Sequence, residues 1–451
     1  MTSSLTLYQT SKSGRNLEPV FSGPANGGGD KLAGVVVDVD PAKKMQPYFG
    51  IGGAMTDGTN YNLSLMSSQQ REQVLCDIFH PTEGMGWNFV RICIGASDFS
   101  AKRYSLDDTP GDSDLAHFNL DHDRQYNLPI FQRIKEINPD VFFFGSPWSP
   151  PAWMKDINSM AGPGGKLKKE YYPTFARYLA LFCKTYGEAG IPIGAITVQN
   201  EVQGNHYSKP MPQCLYEPEE EAELIVNHLV PQLKASKVAP KIWIMDHNWN
   251  MTDYALRCLR HAGCHAVVDG VAWHPYEGAP EAIDDVARKF PALHHYYTEG
   301  NTSSRWQDYT EQEHAALERV YRNHHETFCS WVAVLDQMGG PGEGPFIANK
   351  ESSDHGMINY HTETGKLTYH TEHYKIGHIG RFVKRGAMRV FSNNDIPNAA
   401  FVNPDGSIVI YINHNKKYAD TATFNVGEIT HSVELEPHSY YTLVVPPTVS
   451  S

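Results

Sequence analysis

Short apolar runs alternate with longer stretches of helical periodicity through the middle of the chain. Several runs are apolar at every position, which is typical of parallel strands that are covered on both faces. In all, eight apolar runs predict strands, at residues 47–56, 87–96, 140–146, 191–199, 241–247, 267–274, 294–299 and 327–335.

The stretches between these runs predict helices at residues 66–79, 217–235, 311–325 and 370–384. The second opens with Glu217-Pro218-Glu219, which suits the positive end of a helix dipole. Eight strand–helix units that close on themselves form a (β/α)8 TIM barrel, which we expect over residues 43–385. An open doubly wound sheet is the alternative, but no GxGxxG follows any of the strands.

The two ends of the chain have a different pattern, made of strands and turns only. Residues 401–410 predict a strand, a tight turn at Pro404-Asp405-Gly406 and a second strand. We expect a small β-sandwich formed by residues 386–451, with N-terminal strands from residues 1–42 added to it. Gly27-Gly28-Gly29 is the predicted loop between two of those N-terminal strands.

Polar side chains stand where the barrel strands end, which is where TIM-barrel enzymes carry their chemistry. Glu201 follows the fourth strand and Glu299 follows the seventh. Two carboxyl groups facing each other beside aromatic rings suit glycoside hydrolysis, in which one protonates the leaving oxygen and the other attacks or activates water. A single Glu after a strand is more often a solvated loop residue, and Trp148 or Trp331 alone could simply pack in the core. The matched pair favours catalysis.

Composition narrows the choice of ligand. Aromatic residues make up 11% of the chain, and flat rings suit stacking against sugars. The net charge is −13 without any basic block, so neither nucleic acid nor an anionic membrane surface is an expected partner. No run is long and apolar enough for a transmembrane segment, and nothing points to a particular oligomeric state.

Cysteine and histidine usage bears on compartment and metals. The seven Cys residues include no CxxC and lie mostly among apolar neighbours, which favours free thiols in a reducing compartment over a disulfide framework. The N-terminus lacks the pattern of a signal peptide, so we expect a cytoplasmic protein if residue 1 is the native start, and a secreted one if a signal peptide has been removed. His370, His373 and His378, and the pairs at 294–295 and 324–325, invite a metal, but glycoside hydrolysis needs neither metal nor cofactor.

Several motifs in chain order resemble those of glycoside hydrolase family 30, which includes glucosylceramidases and β-1,6-glucanases. The segments, which span about residues 45 to 385, are Phe49-Gly50-Ile51-Gly52-Gly53-Ala54-Met55-Thr56-Asp57, Phe89-Val90-Arg91, Ser97-Asp98-Phe99-Ser100, Ser146-Pro147-Trp148-Ser149-Pro150-Pro151, Thr197-Val198-Gln199-Asn200-Glu201 and Thr298-Glu299. The resemblance implies a retaining double displacement, with Glu201 as acid/base, Glu299 as nucleophile and carboxyl groups about 5 Å apart.

The resemblance also implies roles for the surrounding residues. Asp98 and Trp148 would bind hydroxyls of the sugar in the first subsite, and Asn200 would bind its 2-hydroxyl. Arg91 and Tyr276 would orient and ionise the nucleophile. His274 and Trp331 would line the pocket. The loop at residues 339–344 differs from that of the animal glucosylceramidases, which weakens the case for a lipid-linked substrate.

Three functions follow from these features. The first is an exo-acting, glucosylceramidase-like β-glucosidase, which suits a cytoplasmic enzyme that meets short glycosides. The second is an endo-β-1,6-glucanase or a related β-glycanase. The third, an inactive sugar-binding protein, is disfavoured because two carboxylates beside aromatic rings are costly to desolvate without a catalytic use.

Overall fold

A computed structural model describes residues 4–24, 34–162, 164–204, 211–301, 316–342 and 356–447. The predicted glycine loop at residues 27–29 and the start of the predicted helix at residues 311–325 lie outside these ranges. The strands, in chain order, are β1 (Ser4–Ser11), β2 (Asn16–Pro24), β3 (Val35–Pro47), β4 (Gly50–Ala54), β5 (Phe89–Cys93), β6 (Phe142–Ser146), β7 (Ile193–Thr197), β8 (Lys241–Asn248), β9 (Gly270–His274), β10 (His294–Tyr297), β11 (Thr327–Ser330), β12 (Val334–Asp336), β13 (Ile358–Tyr360), β14 (Leu367–Tyr369), β15 (Met388–Ser392), β16 (Asn398–Val402), β17 (Ile408–His414), β18 (Asp420–Val426), β19 (Ile429–Leu435) and β20 (Ser439–Val445).

The eight predicted central strands are confirmed as β4 to β11, which form one parallel sheet in chain order with β11 beside β4. Hydrogen bonds between the seventh and eighth strands close the sheet into a barrel. The Glu326 N–H donates to the His295 carbonyl at 2.9 Å, and the Trp331 N–H donates to the Gly300 carbonyl at 2.8 Å. The predicted (β/α)8 barrel is therefore the fold, and the open sheet is not.

Helices surround the barrel and follow its strands. The first predicted helix is confirmed, and the Ser67 hydroxyl caps it by accepting from the Gln70 N–H at 3.2 Å. The helices are α1 (Asp57–Leu65), α2 (Ser68–Phe79), α3 (Asn127–Ile137), α4 (Tyr172–Glu188), α5 (Pro218–Glu223), α6 (Val230–Ala235), α7 (Thr252–Arg260), α8 (Ile283–Lys289), α9 (Leu317–Arg322) and α10 (Thr371–Gly380). The predicted helix at 217–235 is one continuous helical run, in which a π-helical segment, Leu224–Leu229, joins α5 to α6.

Both chain ends meet in the second domain, as predicted. A nine-stranded sheet has the order β19-β18-β3-β15-β16-β17-β20-β1-β2, so β1 from the N-terminus pairs with β20 from the C-terminus. His378 of α10 ties the barrel to this sandwich through Thr442 at 2.8 Å and Thr10 at 2.9 Å. The division of the chain at residues 42 and 385 stays a prediction.

All seven cysteines are free thiols, and six of them are buried. Among the described residues, no helix has the length and apolar character needed to cross a membrane.

Candidate active site

The barrel interior is built in layers, and the lower layer is apolar. Its buried side chains are Phe89, Phe144, Ala195, Trp243, Ala272, Tyr296 and Cys329. The rings pack closely, with 4.1 Å between the ring centroids of Trp243 and Tyr296. This layer fills the barrel, so a ligand can enter only from the carboxyl ends of the strands.

A polar layer lies directly above the apolar one because side chains on a strand return to the same face every second residue. Phe89 is followed two residues later by Arg91, Phe144 by Ser146, and Ala272 by His274. Arg91 is completely buried at the centre, where its guanidinium contacts Asp246 at 2.7 Å and Glu299 at 3.1 Å. Its buried charge is therefore compensated by two carboxylates.

Asp246 is the main anion of the polar layer. The hydroxyls of Ser146 and Thr298 donate to it at 2.6 and 2.7 Å, and His274 Nε2 lies 3.0 Å from its Oδ1. Burial alone would raise the pKa of Asp246, but Arg91 and His274 hold it well below the usual range. Asp246 is therefore a permanent carboxylate that orients its neighbours.

A bulge in β8 brings Asp246 into this layer. Trp243 belongs to the lower layer, so regular alternation would place Met245 above it. The register shifts between Met245 and His247, and Met245 and Asp246 both adopt positive φ, 71° and 50°. The Met245 N–H then donates to the buried carboxylate of Glu221 on α5, at 2.9 Å. This bulge is a local departure from sheet geometry of the kind found beside active sites.

Glu299 is held on two sides, by a hydroxyl donor and by a cation. The Tyr276 hydroxyl donates to Oε1 at 2.8 Å, and the Arg91 guanidinium forms an ion pair with Oε2 at 3.1 Å. Burial raises the pKa of Glu299, while His274 and Arg91 act to lower it. With this donor and this fixed cation beside it, Glu299 is the better oriented of the two predicted carboxyl groups.

Glu201 faces Glu299 across His274. Nδ1 of His274 lies 3.3 Å from Oε1 of Glu201 and 3.8 Å from Oε1 of Glu299. Both carboxyl groups therefore lie within reach of one imidazole, and the two oxygens can be no farther apart than the sum of these distances. Glu201 has a positive φ of 50°, and its N–H donates to the Asp246 carbonyl at 2.8 Å. A strained backbone held in this way is typical of functional sites.

His274 is the cation that joins the three carboxyl groups. Burial alone would lower its pKa, but Glu299, Asp246 and Glu201 together raise the pKa of His274 to about 9. The protonated ring therefore stabilises the folded barrel below about pH 6.5, and this contribution is lost as the pH rises through about 9.

We expect His274→Asn to lower the free energy of unfolding by about 3 kcal/mol more at pH 6 than at pH 9.5, from the size of the pKa difference. Denaturant unfolding of both proteins at the two pH values measures this difference. Gln132→Ala, at an exposed position without a titratable group, serves as the control, and its effect on the free energy of unfolding should be the same at both pH values. A His274→Asn penalty that does not depend on pH would contradict a charged His274.

The remaining predicted residues line a cavity of about 650 Å³ above the polar layer. Asp98, Trp148, Asn200, Tyr276 and Trp331 contribute to its wall together with both glutamates. The rings of Trp148 and Trp331 stack with centroids 4.9 Å apart. The Asn200 amide oxygen accepts from Arg91 at 2.7 Å, so its NH2 group is left to donate to a ligand hydroxyl.

The structure thus places the nine residues singled out in the sequence in one site, seven on the cavity wall and Arg91 and His274 directly beneath it. Asp246 and His247 were missed. They are the last two residues of the fifth predicted strand, 241–247, and polar residues at a strand end are the signal that identified the other site residues. The cavity wall also includes Asn248, Asn250 and Glu277, which the sequence pattern did not single out.

The histidines considered for a metal lie elsewhere. His370 contacts the Asn359 side chain at 2.6 Å, and His378 bonds the two threonines of the sandwich. Burial lowers the pKa of His373 to about 3. His294 pairs with Glu326 at 2.6 Å, and His324 pairs with Asp284 at 2.8 Å. His373 packs against the ring of Tyr369 with centroids 5.0 Å apart, and Trp273 and Trp249 donate to His295 at 3.1 Å and to His325 at 3.2 Å. These contacts account for the seven side chains as parts of the scaffold.

Comparison with known proteins agrees with this geometry. Residues 48–383 match the model of the glycosyl hydrolase family 30 TIM-barrel domain, and residues 386–443 match that of the family 30 β-sandwich domain. A putative glucosylceramidase 2 of Caenorhabditis elegans is 27% identical, over 97% of this chain and 88% of its own.

Two solved structures have nearly the same fold. SrfJ from Salmonella typhimurium superimposes with a TM-score of 0.89 at 25% identity, covering 98% of this chain and 99% of its own. An endo-β1,6-glucanase superimposes with a TM-score of 0.86 at 26% identity, with the same coverage.

Proposed function

This chain belongs to glycosyl hydrolase family 30, and from that membership we propose that it hydrolyses β-glucosides with retention of configuration. Glu299 is the nucleophile and Glu201 the acid/base. One observation carries the proposal: two buried glutamates face the same imidazole, and Glu299 alone is also held by Arg91 and Tyr276. A nucleophile must stay ionised, and the Arg91 cation and the Tyr276 hydroxyl both favour its carboxylate.

The reaction proceeds in two displacements. Glu299 attacks the anomeric carbon while the Glu201 carboxyl gives its proton to the glycosidic oxygen, so the leaving group departs as an alcohol. The Glu201 carboxylate then takes a proton from water, whose oxygen attacks the same carbon and displaces Glu299. Both glutamates return to their starting protonation states, and the configuration of the anomeric carbon has been inverted twice.

The glycone subsite is formed by Asp98, Trp148, Asn200 and Trp331. The stacked tryptophans offer an apolar wall, and Asp98 offers an acceptor for hydroxyls. Asn200 donates to the 2-hydroxyl, a contact that strengthens as positive charge develops on the ring. Because Arg91 fixes the amide oxygen of Asn200, this donor is oriented before the substrate arrives.

The leaving-group side supports a sugar rather than a lipid. Asn248, at the end of β8, lines the cavity together with Asn250 and Glu277, which lie on the loops after β8 and β9, and Asn250 donates to Glu277 at 2.7 Å. These groups can exchange hydrogen bonds with sugar hydroxyls, whereas an alkyl chain would displace the water around them without replacing its hydrogen bonds. We therefore favour exo-acting release of glucose from short β-glucans. An endo-β-1,6-glucanase is the second candidate, favoured by the structural neighbour of that name.

Proton NMR of the first turnover tests the mechanism. We expect 4-nitrophenyl β-glucoside to give β-glucose first, with the α anomer appearing only at the rate of mutarotation, because two inversions restore the configuration. Initial formation of α-glucose would exclude Glu299 as nucleophile.

A substrate panel tests the leaving group. We expect kcat/KM for a β-1,6-linked glucose oligomer to exceed that for glucosylceramide in mixed micelles by roughly tenfold or more, since a sugar leaving group can form hydrogen bonds with the polar groups of the cavity and an alkyl chain cannot. Asn250→Ala should narrow this ratio. With an oligomer reduced at its end, early release of glucose alone indicates exo action, and early release of longer fragments indicates endo action. A preference for glucosylceramide would refute the assignment of a sugar as leaving group.

A further inference from the structure

Three potential metal ligands converge at the top of the polar layer: Glu201, His247 and His274. They lie at or just beyond the carboxyl ends of three successive strands, β7, β8 and β9, and all three residues are buried. One ligand atom of each lies within 4.8 Å of the others. We call these three residues the Glu-His-His cluster. The mechanism above assigns His247 no role.

The spacing of the ligand atoms suits a small tetrahedral ion. Zinc–ligand bonds of about 2.0–2.1 Å put neighbouring donor atoms roughly 3.3 Å apart. Oε1 of Glu201 lies 3.3 Å from Nδ1 of His274 and 3.8 Å from Nδ1 of His247. A small rotation of the His247 ring completes the triangle, and the fourth position faces the cavity, to which Glu201 and His247 both contribute.

The surroundings of His274 match a metal site as well. Its other nitrogen, Nε2, lies 3.0 Å from Oδ1 of Asp246. A carboxylate that accepts the second ring proton fixes the tautomer and orients the ligand nitrogen, as in carboxylate–histidine–zinc arrangements. Asp246 is itself held by Ser146 and Thr298, so this support is rigid.

We propose that the Glu-His-His cluster binds Zn²⁺ and that the bound ion reversibly inhibits glycoside hydrolysis. Two imidazoles and one carboxylate form a donor set that suits zinc better than Mg²⁺ or Ca²⁺, which prefer oxygen. Binding places the lone pair of His274 Nδ1 and an oxygen of Glu201 on the metal, and releases to solvent both the proton of that nitrogen and the acid proton of Glu201. Glu201 then uses its oxygen on the metal and can neither donate nor accept the catalytic proton. The inhibition rests on the proposed function, whereas the binding does not.

Isothermal titration of ZnCl2 into the EDTA-stripped full chain measures binding without any substrate. We expect one site per chain. Removing a residue that orients a metal ligand weakens metal affinity about 10–100-fold. Removing a ligand itself, in His247→Asn, should therefore raise the Kd for zinc at least on the order of 100-fold. His117→Asn, at an exposed histidine, should bind like the wild type, and MgCl2 should give no heat of binding. Equal zinc affinity of His247→Asn and wild type, with both variants folded by circular dichroism, overturns the proposal.

Hydrolysis of 4-nitrophenyl β-glucoside measures the consequence, with each variant compared with its own metal-free rate. Zinc should inhibit the wild type in competition with substrate, EDTA should restore the rate, and His247→Asn should need about 100-fold more zinc. Inhibition that is unchanged in His247→Asn would place the ion elsewhere and refute the site. Zinc binding that depends on His247 in a chain that hydrolyses no β-glucoside would leave the metal site standing and refute the proposed function instead. Normal hydrolysis without such binding would refute the metal site alone.

Discussion

Replacing Glu299 by alanine lowers kcat for β-glucosides on the order of 10⁴-fold or more, because the covalent intermediate can no longer form. The measurement is single-turnover and steady-state hydrolysis of 4-nitrophenyl β-glucoside. Azide should partly rescue this variant by entering the space of the lost carboxylate, and it should give α-glucosyl azide. The configuration of that product identifies the face from which Glu299 attacks.

Glu277→Ala is the matched control for this experiment. Glu277 lines the same cavity and undergoes the same change from carboxylate to methyl, but it is exposed and its carboxylate accepts from Asn250 at 2.7 Å on the rim. We expect its loss to stay within roughly tenfold, the size of one hydrogen bond. Equal losses in the two variants would show that Glu299 acts through charge in the cavity and not as a nucleophile.

Replacing Glu201 by alanine separates the two steps of the reaction. A dinitrophenyl glucoside needs little proton donation, so its first step should survive and the glucosyl-enzyme should accumulate without a base to activate water. Natural glycosides should lose about 10²–10⁴-fold, since their leaving oxygen needs the proton. Mass spectrometry of the quenched enzyme measures the intermediate, which is expected as a covalent adduct on Glu299.

Azide again provides the decisive product. It needs no base, so it should restore turnover of the dinitrophenyl glucoside by the Glu201→Ala variant and give β-glucosyl azide. Turnover of poorly activated glucosides should not recover. A β product from Glu299→Ala together with an α product from Glu201→Ala would mean that the two glutamates have exchanged roles.

The barrel and much of its site could be predicted because they depend on local patterns. An apolar run between turn signals indicates a covered strand whatever its partners are, and the carboxyl ends of parallel strands must meet on one face of a barrel. The sequence alone therefore predicts that Glu201 and Glu299 lie on the same face of the barrel. The polar layer obeys the same alternation, since Arg91, Ser146 and His274 each follow an inward-facing apolar residue by two positions.

The sequence pattern did not identify Asp246 as a site residue because Asp246 breaks that alternation. It stands three residues after Trp243 and reaches the interior only through the bulge, whose positive φ angles fall on Met245 and Asp246. Neither residue is a glycine, so the sequence carries no turn signal there. The bulge depends on a tertiary contact. The Met245 N–H donates to the carboxylate of Glu221, which lies on α5, 24 positions earlier in the chain. His247 stands four residues after Trp243, in step with the alternation, so its polar side chain at the strand end was a signal that the sequence did carry.

The pairing of β1 with β20 has a consequence for synthesis on the ribosome. Thr6 lies opposite Val444, and Gln9 and Tyr441 of the same two strands are 432 positions apart, so β1 stays without this partner while the intervening residues are synthesised. At roughly 5–20 residues per second, that synthesis lasts on the order of tens of seconds. During this time β1 offers an unpaired edge with apolar residues such as Leu5 and Leu7, which are buried in the folded protein. We therefore expect ribosome-bound intermediates of this protein to recruit a chaperone at β1 until β20 has been synthesised.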